Sequence, residues 1–377
     1  MNSSKKPIRI AMVMGRMLGG GVESVVMNYY RHINRDEVQF DFIVSDDSLV
    51  VPEEEIEILG GRVYRVASYK NLLSYYRDLE LILKKNKYSI IHSHINTLNI
   101  FPLMIGKKCG VPVRISHNHS TSSSKEVVKN ITKKILKNFS TVYPTHYFSP
   151  TMHAGEWLFG TKIAEEQLYI LPNAIEINRF SYNVMERNKI RKKLNLSEKD
   201  FLIGNIGRMV WQKNQVFIIK VFSKVIQKYP DAKLLIVGQG DLQPKLEMLV
   251  DNLNINDSVF FIKNNDNIEN YYQAMDCFFF PSNYEGLGMV AIESQVSGLI
   301  TLCSENVPKD VHVTDLCIFK NIADSIDSWR DELLRIIEMK NKINRSMYPE
   351  IVNKSDYNII KEANSLVEFY KKVSLEK

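Results

Sequence analysis

Short apolar runs and helical patterns alternate along nearly the whole chain, in two series of similar length. That alternation leaves few folds open. A strand that is apolar throughout is buried on both faces, and a helix between successive strands carries the chain back so that they lie parallel. In the first series, strands are expected at Ile8–Met14, Val38–Val44, Arg62–Val66, Ser89–His94, Pro112–Ser116 and Thr141–Pro150. Helices are expected between them at Val22–Ile33, Pro52–Leu59, Tyr69–Lys85, Asn96–Cys109 and Lys125–Asn138. The second series follows Pro172-Asn173-Ala174, with strands at Phe201–Gly207, Ala232–Val237, Val259–Lys263, Asp276–Phe280 and Ile300–Cys303. Its helices fall at Val216–Tyr229, Leu242–Leu253 and Ile268–Ala274. With 377 residues the chain is too long for one core. The expectation is an α/β protein of two Rossmann-like domains facing a central cleft, 1–172 and 173–355. A C-terminal segment, 356–377, carries a helix at Ile359–Val373 long enough to cross back to the first domain.

Composition narrows the function. Hydrophobic residues make up 45% and charged residues 24%, as in a globular protein. No apolar run reaches the roughly 18 residues that span a bilayer. The four cysteines are scattered without a C-x-x-C pair, which fits a reducing cytoplasm and argues against a structural zinc. Residues 60–140 hold 15 Lys and Arg against 3 Asp and Glu. The helix expected at Lys125–Asn138 sets Lys125, Lys129, Lys133 and Lys137 apart from an apolar face, which suits an ordinary sheet-covering helix with a solvated lysine face and equally, given the basic region around it, contact with an anionic membrane surface. Aromatic residues are not interleaved with those lysines, so nucleic acid is not the expected partner.

The strongest local signal is Pro281 to Gly298, PSNYEGLGMVAIESQVSG. A buried strand ends at Pro281, a glycine turn follows (Gly286-Leu287-Gly288), and a helix runs from about Met289 to Val296. Helix-start N–H groups lack internal partners and carry partial positive charge, so strand, glycine turn and helix start form an anion cradle. Glu285 and Glu293 frame it. Carboxylates do not bind phosphate, so sugar or ribose hydroxyls are their natural partners. A second cationic feature closes the first strand of the second series: Arg208 and, five residues on, Lys213 in GRMVWQKN. A forked guanidinium and a mobile ammonium suit a diphosphate. The glycines of Gly15–Gly21 (GRMLGGG) do not make G-x-G-x-x-G, which removes most of the case for a dinucleotide enzyme.

Four histidines stand at the ends of two strands, His92 and His94, then His117 and His119. In a doubly wound sheet these ends could be neighbours, which raises a transition-metal site. No Asp, Glu or Cys lies close in sequence to complete a ligand set, and no metal is expected.

In order and spacing, GGGVE, PNAIEINRF at 172–180, GRMVWQKN at 207–214 and EGLGMVAIE at 285–293 together resemble the retaining glycosyltransferases of the GT-B fold, family four. That group uses nucleotide sugars and includes bacterial exopolysaccharide and capsule enzymes. The resemblance spans nearly the whole chain. It implies that Arg208 and Lys213 hold the donor diphosphate, that Glu293 bonds the ribose and that Glu285 contacts the transferred sugar. It further implies that the backbone of Gly286, Leu287, Gly288, Met289 and Val290 receives donor oxygens. Gly20 and Gly21 would close over the donor, and Lys263 would flank the base. His117 stands where the family has a histidine near the sugar or its acceptor, completing a catalytic set with Glu285, Arg208 and Lys213. His92, His94 and His119 read as hydrogen-bonded loop residues at the strand ends, any of which, His94 and His119 above all, could face the acceptor. The implied activity is transfer from a UDP-sugar to a saccharide or lipid-linked saccharide with retention, needing no metal or cofactor, at the cytoplasmic face of the cell membrane. A nucleotide-sugar epimerase of the same fold, or a silent partner subunit of a transferase, is the alternative. Two departures stand out: Ala174 replaces the usual glycine of Pro-Asn-Gly, and Gly288 stands where many members have proline.

Overall fold

The computed structural model describes residues 6–119, 136–263 and 267–375. It divides into two compact units, one formed by Met1–Ile175 with Ile359–Lys377 and the other by Glu176–Asn358. Each is built on one wholly parallel sheet.

The first unit has seven strands: β1 (Ile8–Gly15), β2 (Val38–Ser45), β3 (Arg62–Val66), β4 (Ile90–Ser93), β5 (Val113–His117), β6 (His146–Ser149) and β7 (Leu168–Ile170). They lie in the order β3-β2-β1-β4-β5-β6-β7. Ile10 of β1 pairs with Phe40 on one side and Ile90 on the other, and all three are fully buried, as a central strand of a covered sheet requires. Helix α1 (Gly21–His32) and the C-terminal helix Ile359–Val373 close one face. In the latter, Ile359, Ala363, Leu366, Val367, Tyr370 and Val373 recur at helical spacing and enter the core with Met12, Tyr29 and Phe40. Their burial is the reason this segment belongs to the first unit although 183 residues of the other, Glu176–Asn358, precede it.

The second unit orders its strands β10-β9-β8-β11-β12-β13. These are β8 (Phe201–Ile206), β9 (Ala232–Val237), β10 (Val259–Ile262), β11 (Cys277–Phe280), β12 (Ile300–Ser304) and β13 (Cys317–Lys320). Trp329 fills the core, its ring 5.6 Å from those of Phe217 and Phe279.

Differences from expectation sit where the chain lacks an apolar period. Helices at Met152–Phe159, Thr161–Gln167 and Val184–Lys193, and the edge strands β7 and β13, were not expected. The segment expected as one helix from Asn96 begins as a 3₁₀ turn because Asn96 is left-handed (φ 54°), and α-helix starts only at Ile100. Most of the basic helix expected at Lys125–Asn138 lies outside the described residues. No described helix is long and apolar enough to cross a membrane.

Candidate functional site

In an open parallel sheet, ligands bind beyond the carboxyl ends of the strands where the strand order reverses. In the second unit that point lies between β8 and β11, because the chain runs β8, β9, β10 outward and then returns to pair β11 with β8. The loops leaving these two strands carry Arg208 and Lys213 on one side and Glu285 on the other.

Hydrogen bonds lock the two loops together. Asn283 donates through its backbone N–H to Gln212 O (2.8 Å) and through its amide to Trp211 O (2.7 Å), while the Asn214 amide donates to Pro281 O (3.0 Å). Across this seam Lys213 Nζ meets Glu285 Oε1 at 2.8 Å, with side chains 17% and 6% exposed. The ammonium also lies 5.0 Å from the centre of the Phe280 ring. The sequence reading gives Lys213 to phosphate and Glu285 to sugar as separate tasks; in the structure the two side chains form one ion pair. Arg208 is exposed, and among the described residues its guanidinium makes no hydrogen bond; only its carbonyl is used, accepting from Gln215.

The glycine turn leads into helix Met289–Val296 with no side-chain cap, so its first N–H groups have neither a capping side chain nor a partner within the helix. Gly288 is its N-cap at φ 94°, where a Cβ would press to 3.1 Å on the Phe280 ring. Proline cannot reach that φ, so the glycine at this position is required by the backbone seen here. A Cβ at Gly286 would meet nothing within 4 Å, so the loop is open there.

Glu293, half-buried one turn into the helix, accepts from the Tyr272 hydroxyl at 2.7 Å. Burial raises its carboxyl above the ordinary range, partly offset by the Tyr272 bond, then by Arg179 and Lys213. Lys213 thus acts electrostatically on both acids, which places 213, 285 and 293 in one neighbourhood. Lys263 is exposed just past the end of β10, at the same edge of the sheet. Tyr272, Gln212, Asn214 and Asn283 were missed by the sequence reading. Polar side chains flanking strand ends were the available signal, but spacing does not reveal their pairing.

The first unit reverses its order between β1 and β4. Here the loop after β1 and the segment after β4 approach closely: a Cβ on Gly15 (φ 69°) would strike Ile95 at 2.6 Å. Gly20 caps α1, and Glu23 turns back to accept from Leu18 N at 2.9 Å, fixing the glycine loop. Gly21 faces open space.

The four histidines do meet. His92 and His117 are strand residues rather than loop residues, and both, like His94, are buried. His92 Nε2 lies 3.1 Å from His117 Nδ1, and His94 Nδ1 lies 2.9 Å from His119 Nε2. Asn99 ties the strand ends, its amide donating to Ser116 Oγ (2.9 Å) and His117 O (3.1 Å). Burial, with smaller repulsions among the rings, pushes His92, His94 and His117 well below the usual imidazole range, and burial alone takes His119 down to about 3. All four are neutral at pH 7. His92, His94 and His117 each bring a nitrogen within 4.8 Å of the others, the one such histidine-rich group among the described residues. Their rings, however, stack: His92 on His94 at 22° and on His117 at 23°. Imidazole lone pairs lie in the ring plane, and the nitrogens of His92 and His117 already face each other in their hydrogen bond rather than one shared ion. Convergence would require turning rings out of their present hydrogen bonds. His117 is only 1% exposed.

Comparisons with known proteins follow this division. Residues 19–179 match the family model Glycosyltransferase Family 4, and residues 186–345 match Glycosyl transferases group 1. A "Putative glycosyltransferase EpsF" of Bacillus subtilis (strain 168) is 27% identical over 384 residues, covering 100% of this chain and 99% of that one. A "UDP-Gal:alpha-D-GlcNAc-diphosphoundecaprenol alpha-1,3-galactosyltransferase" of Escherichia coli is 24% identical over 398 residues, covering 98% of each. Among solved structures, Anabaena HepE in complex with UDP superposes with a TM-score of 0.79 at 14% identity, covering 97% of this chain and 100% of that one. With one model on each half and full-length transferase relatives, this chain is a glycosyltransferase of the GT-B, family-four type.

Proposed function

We propose that the enzyme moves a sugar from a UDP-sugar to a hydroxyl of a lipid-linked saccharide during exopolysaccharide or capsule assembly, retaining anomeric configuration. The observation that carries this reading is the Lys213–Glu285 pair at the sheet reversal, beside an uncapped, glycine-led helix start. Lys213, the free guanidinium of Arg208 and the N–H groups at Met289 and Val290 supply positive charge for a pyrophosphate, while Glu293 accepts from the ribose hydroxyls. Glu285 holds Lys213 in place and accepts from a hydroxyl of the donor sugar. The names of the relatives support the donor and acceptor classes: a UDP-galactose donor and a diphosphoundecaprenol-linked acceptor in one, UDP bound in another.

In the reaction the bond from the anomeric carbon to the departing phosphate oxygen breaks, and a bond to the acceptor oxygen forms. The acceptor proton passes to the leaving phosphate. A carboxylate held by an ammonium is a poor free nucleophile, so Glu285 in its ion pair favours front-face displacement over a covalent intermediate. Fixed cations on the leaving group contribute roughly 10²–10³ each to the rate.

The test is incubation with UDP-, GDP- and ADP-sugars and a lipid-diphosphate saccharide, following nucleotide release and the anomeric coupling of the product. Acceptor-dependent release of UDP with retained configuration supports the proposal. Conversion of donor without acceptor would indicate an epimerase, and inverted product would refute retention. Contact with the membrane through the basic region is part of the proposal; failure to sediment with anionic vesicles at low salt would remove it.

A further inference from the structure

The second unit has a cavity of about 380 Å³ at the amino ends of β11 and β12, the size of a small-molecule pocket. It is separate from the transfer site, since β11 runs from beside Asp276 at this end to Pro281 and the Glu285 loop at the other. Arg187, Lys340 and Arg345 stand around Asp276, while Tyr182 and Ile300 supply apolar lining. Local sequence explains how the cations gather. Helix Val184–Lys193 sets Arg187 and Arg191 one turn apart on one face. Gly298 (φ 68°) seats the turn that bears Arg345, because a Cβ there would strike Arg345 Cα at 2.6 Å.

The charges here do not balance. Arg187, Arg191 and Lys340 all turn to Asp276, at 2.6, 3.1 and 3.8 Å. Arg345 gives its hydrogens to the carbonyls of Tyr272, Gln273, Met275 and Ser297 and, among the described residues, pairs with no carboxylate. With Asp200, which also acts on Lys340, four cations face two acids. Carbonyls accept hydrogen bonds but do not neutralise charge. Burial and the repulsion of Arg187 lower the Arg345 guanidinium to about 9, and burial, Arg191 and Arg187 lower Lys340.

Donors are also left over. Arg187 Nε–H and one of its Nη2 hydrogens make no hydrogen bond among the described residues, nor do one Nη2 hydrogen of Arg345 and one hydrogen of Lys340 Nζ. Forked guanidinium groups beside an ammonium suit a phosphate. The cavity has room for more than that group, and the Tyr182 ring, 4.2 Å from the Arg345 guanidinium carbon, offers the rest of a ligand a flat apolar face.

We propose that this cavity binds a phosphorylated small molecule of the sugar-phosphate class, with its phosphate among Arg187, Lys340 and Arg345. The bound dianion supplies the negative charge that the four cations lack, and the sugar lies against Tyr182.

Calorimetric titration of glucose 1-phosphate in chloride buffer, with excess UDP present, measures this binding. One saturable site is expected, with inorganic phosphate weaker and glucose silent. Lys340→Gln keeps a donor for the Glu198 and Asp200 carbonyls but removes the charge, and should weaken glucose 1-phosphate about tenfold. Ser346→Glu places a carboxylate at the exposed edge of the cavity and should abolish binding while raising the melting temperature. Lys213→Ala should bind glucose 1-phosphate as the wild type does, so the outcome does not turn on where UDP sits. No saturable heat in the wild type overturns the proposal, as does unchanged affinity in both Lys340→Gln and Ser346→Glu. Lys340-dependent sedimentation with phosphatidic acid vesicles, with glucose 1-phosphate silent, would give the cavity to a lipid headgroup and overturn a soluble ligand.

Discussion

Single side chains in this enzyme hold opposed demands. Glu293 is kept half-buried with one tyrosine bond, and burial raises its pKa. The folded chain therefore binds its proton more tightly than the unfolded chain does. Its contribution to stability is present at low pH and is lost as the pH rises through the folded-state value. Glu293→Gln keeps an acceptor for Tyr272 and removes the charge. At pH 7.5 it should raise the melting temperature by about 2 °C or more while weakening uridine binding, measured by calorimetry, about tenfold. The histidines have the other sign. Their folded-state values are depressed, so the stability they give is complete above the unfolded value near 6.5 and is lost as the pH falls below it. Each contributes about 1.4 kcal/mol per pH unit in that range. Melting curves from pH 7.5 to 5 should show a steep fall, made shallower in a His94→Gln/His119→Gln variant. The residue types were legible in the sequence: two acids, two cations and four histidines were all singled out. Their pairings were not. Nothing in the spacing of residues 213 and 285 reports a 2.8 Å ion pair, because the pairing depends on which strands are neighbours in the sheet.

At the scale of elements, legibility followed hydrophobic period. Strand β11 and the helix after the glycine turn were expected within a residue of where they lie, since four buried residues end at a proline and a glycine stops the helix. Helix Val184–Lys193 had no such signal. Only Ile190 and Arg191 are buried in it, and it is held by Arg187 and Arg191, which donate to the carbonyls of Gln273, Ala274 and Met275 and to Asp276. A helix docked by guanidinium groups shows no apolar stripe to read. Strands β7 and β13, three and four residues on sheet edges, are too short for alternation to register. The glycine turn gives a direct prediction. Gly288→Ala forces a side chain into a left-handed backbone against Phe280 and should cost about 1–2 kcal/mol of stability, read by denaturant unfolding. Gly288→Pro should be worse and should abolish UDP binding, because the helix start would be re-aimed. Normal UDP affinity in Gly288→Pro would show that the first turn does not hold the diphosphate.

Across the whole molecule, each unit repeats one device: a parallel sheet that reverses its order beside its first strand, with a glycine-bearing loop at the reversal. The alternation of strands and helices made that architecture legible from the chain alone, and the C-terminal helix was expected to return to the first unit, where its apolar face is buried. What the sequence could not reveal is the depth of the histidine group, since strand-end residues read as loop residues until the sheet order is known. The most direct measurement is calorimetric titration of UDP and of uridine into the wild type and Lys213→Ala. UDP should bind the wild type, and Lys213→Ala should weaken it at least tenfold while changing uridine affinity far less, because the ammonium would meet phosphate directly and acts on the ribose-side Glu293 only at a distance. Equal UDP affinity in the two proteins would contradict a pyrophosphate held at Lys213.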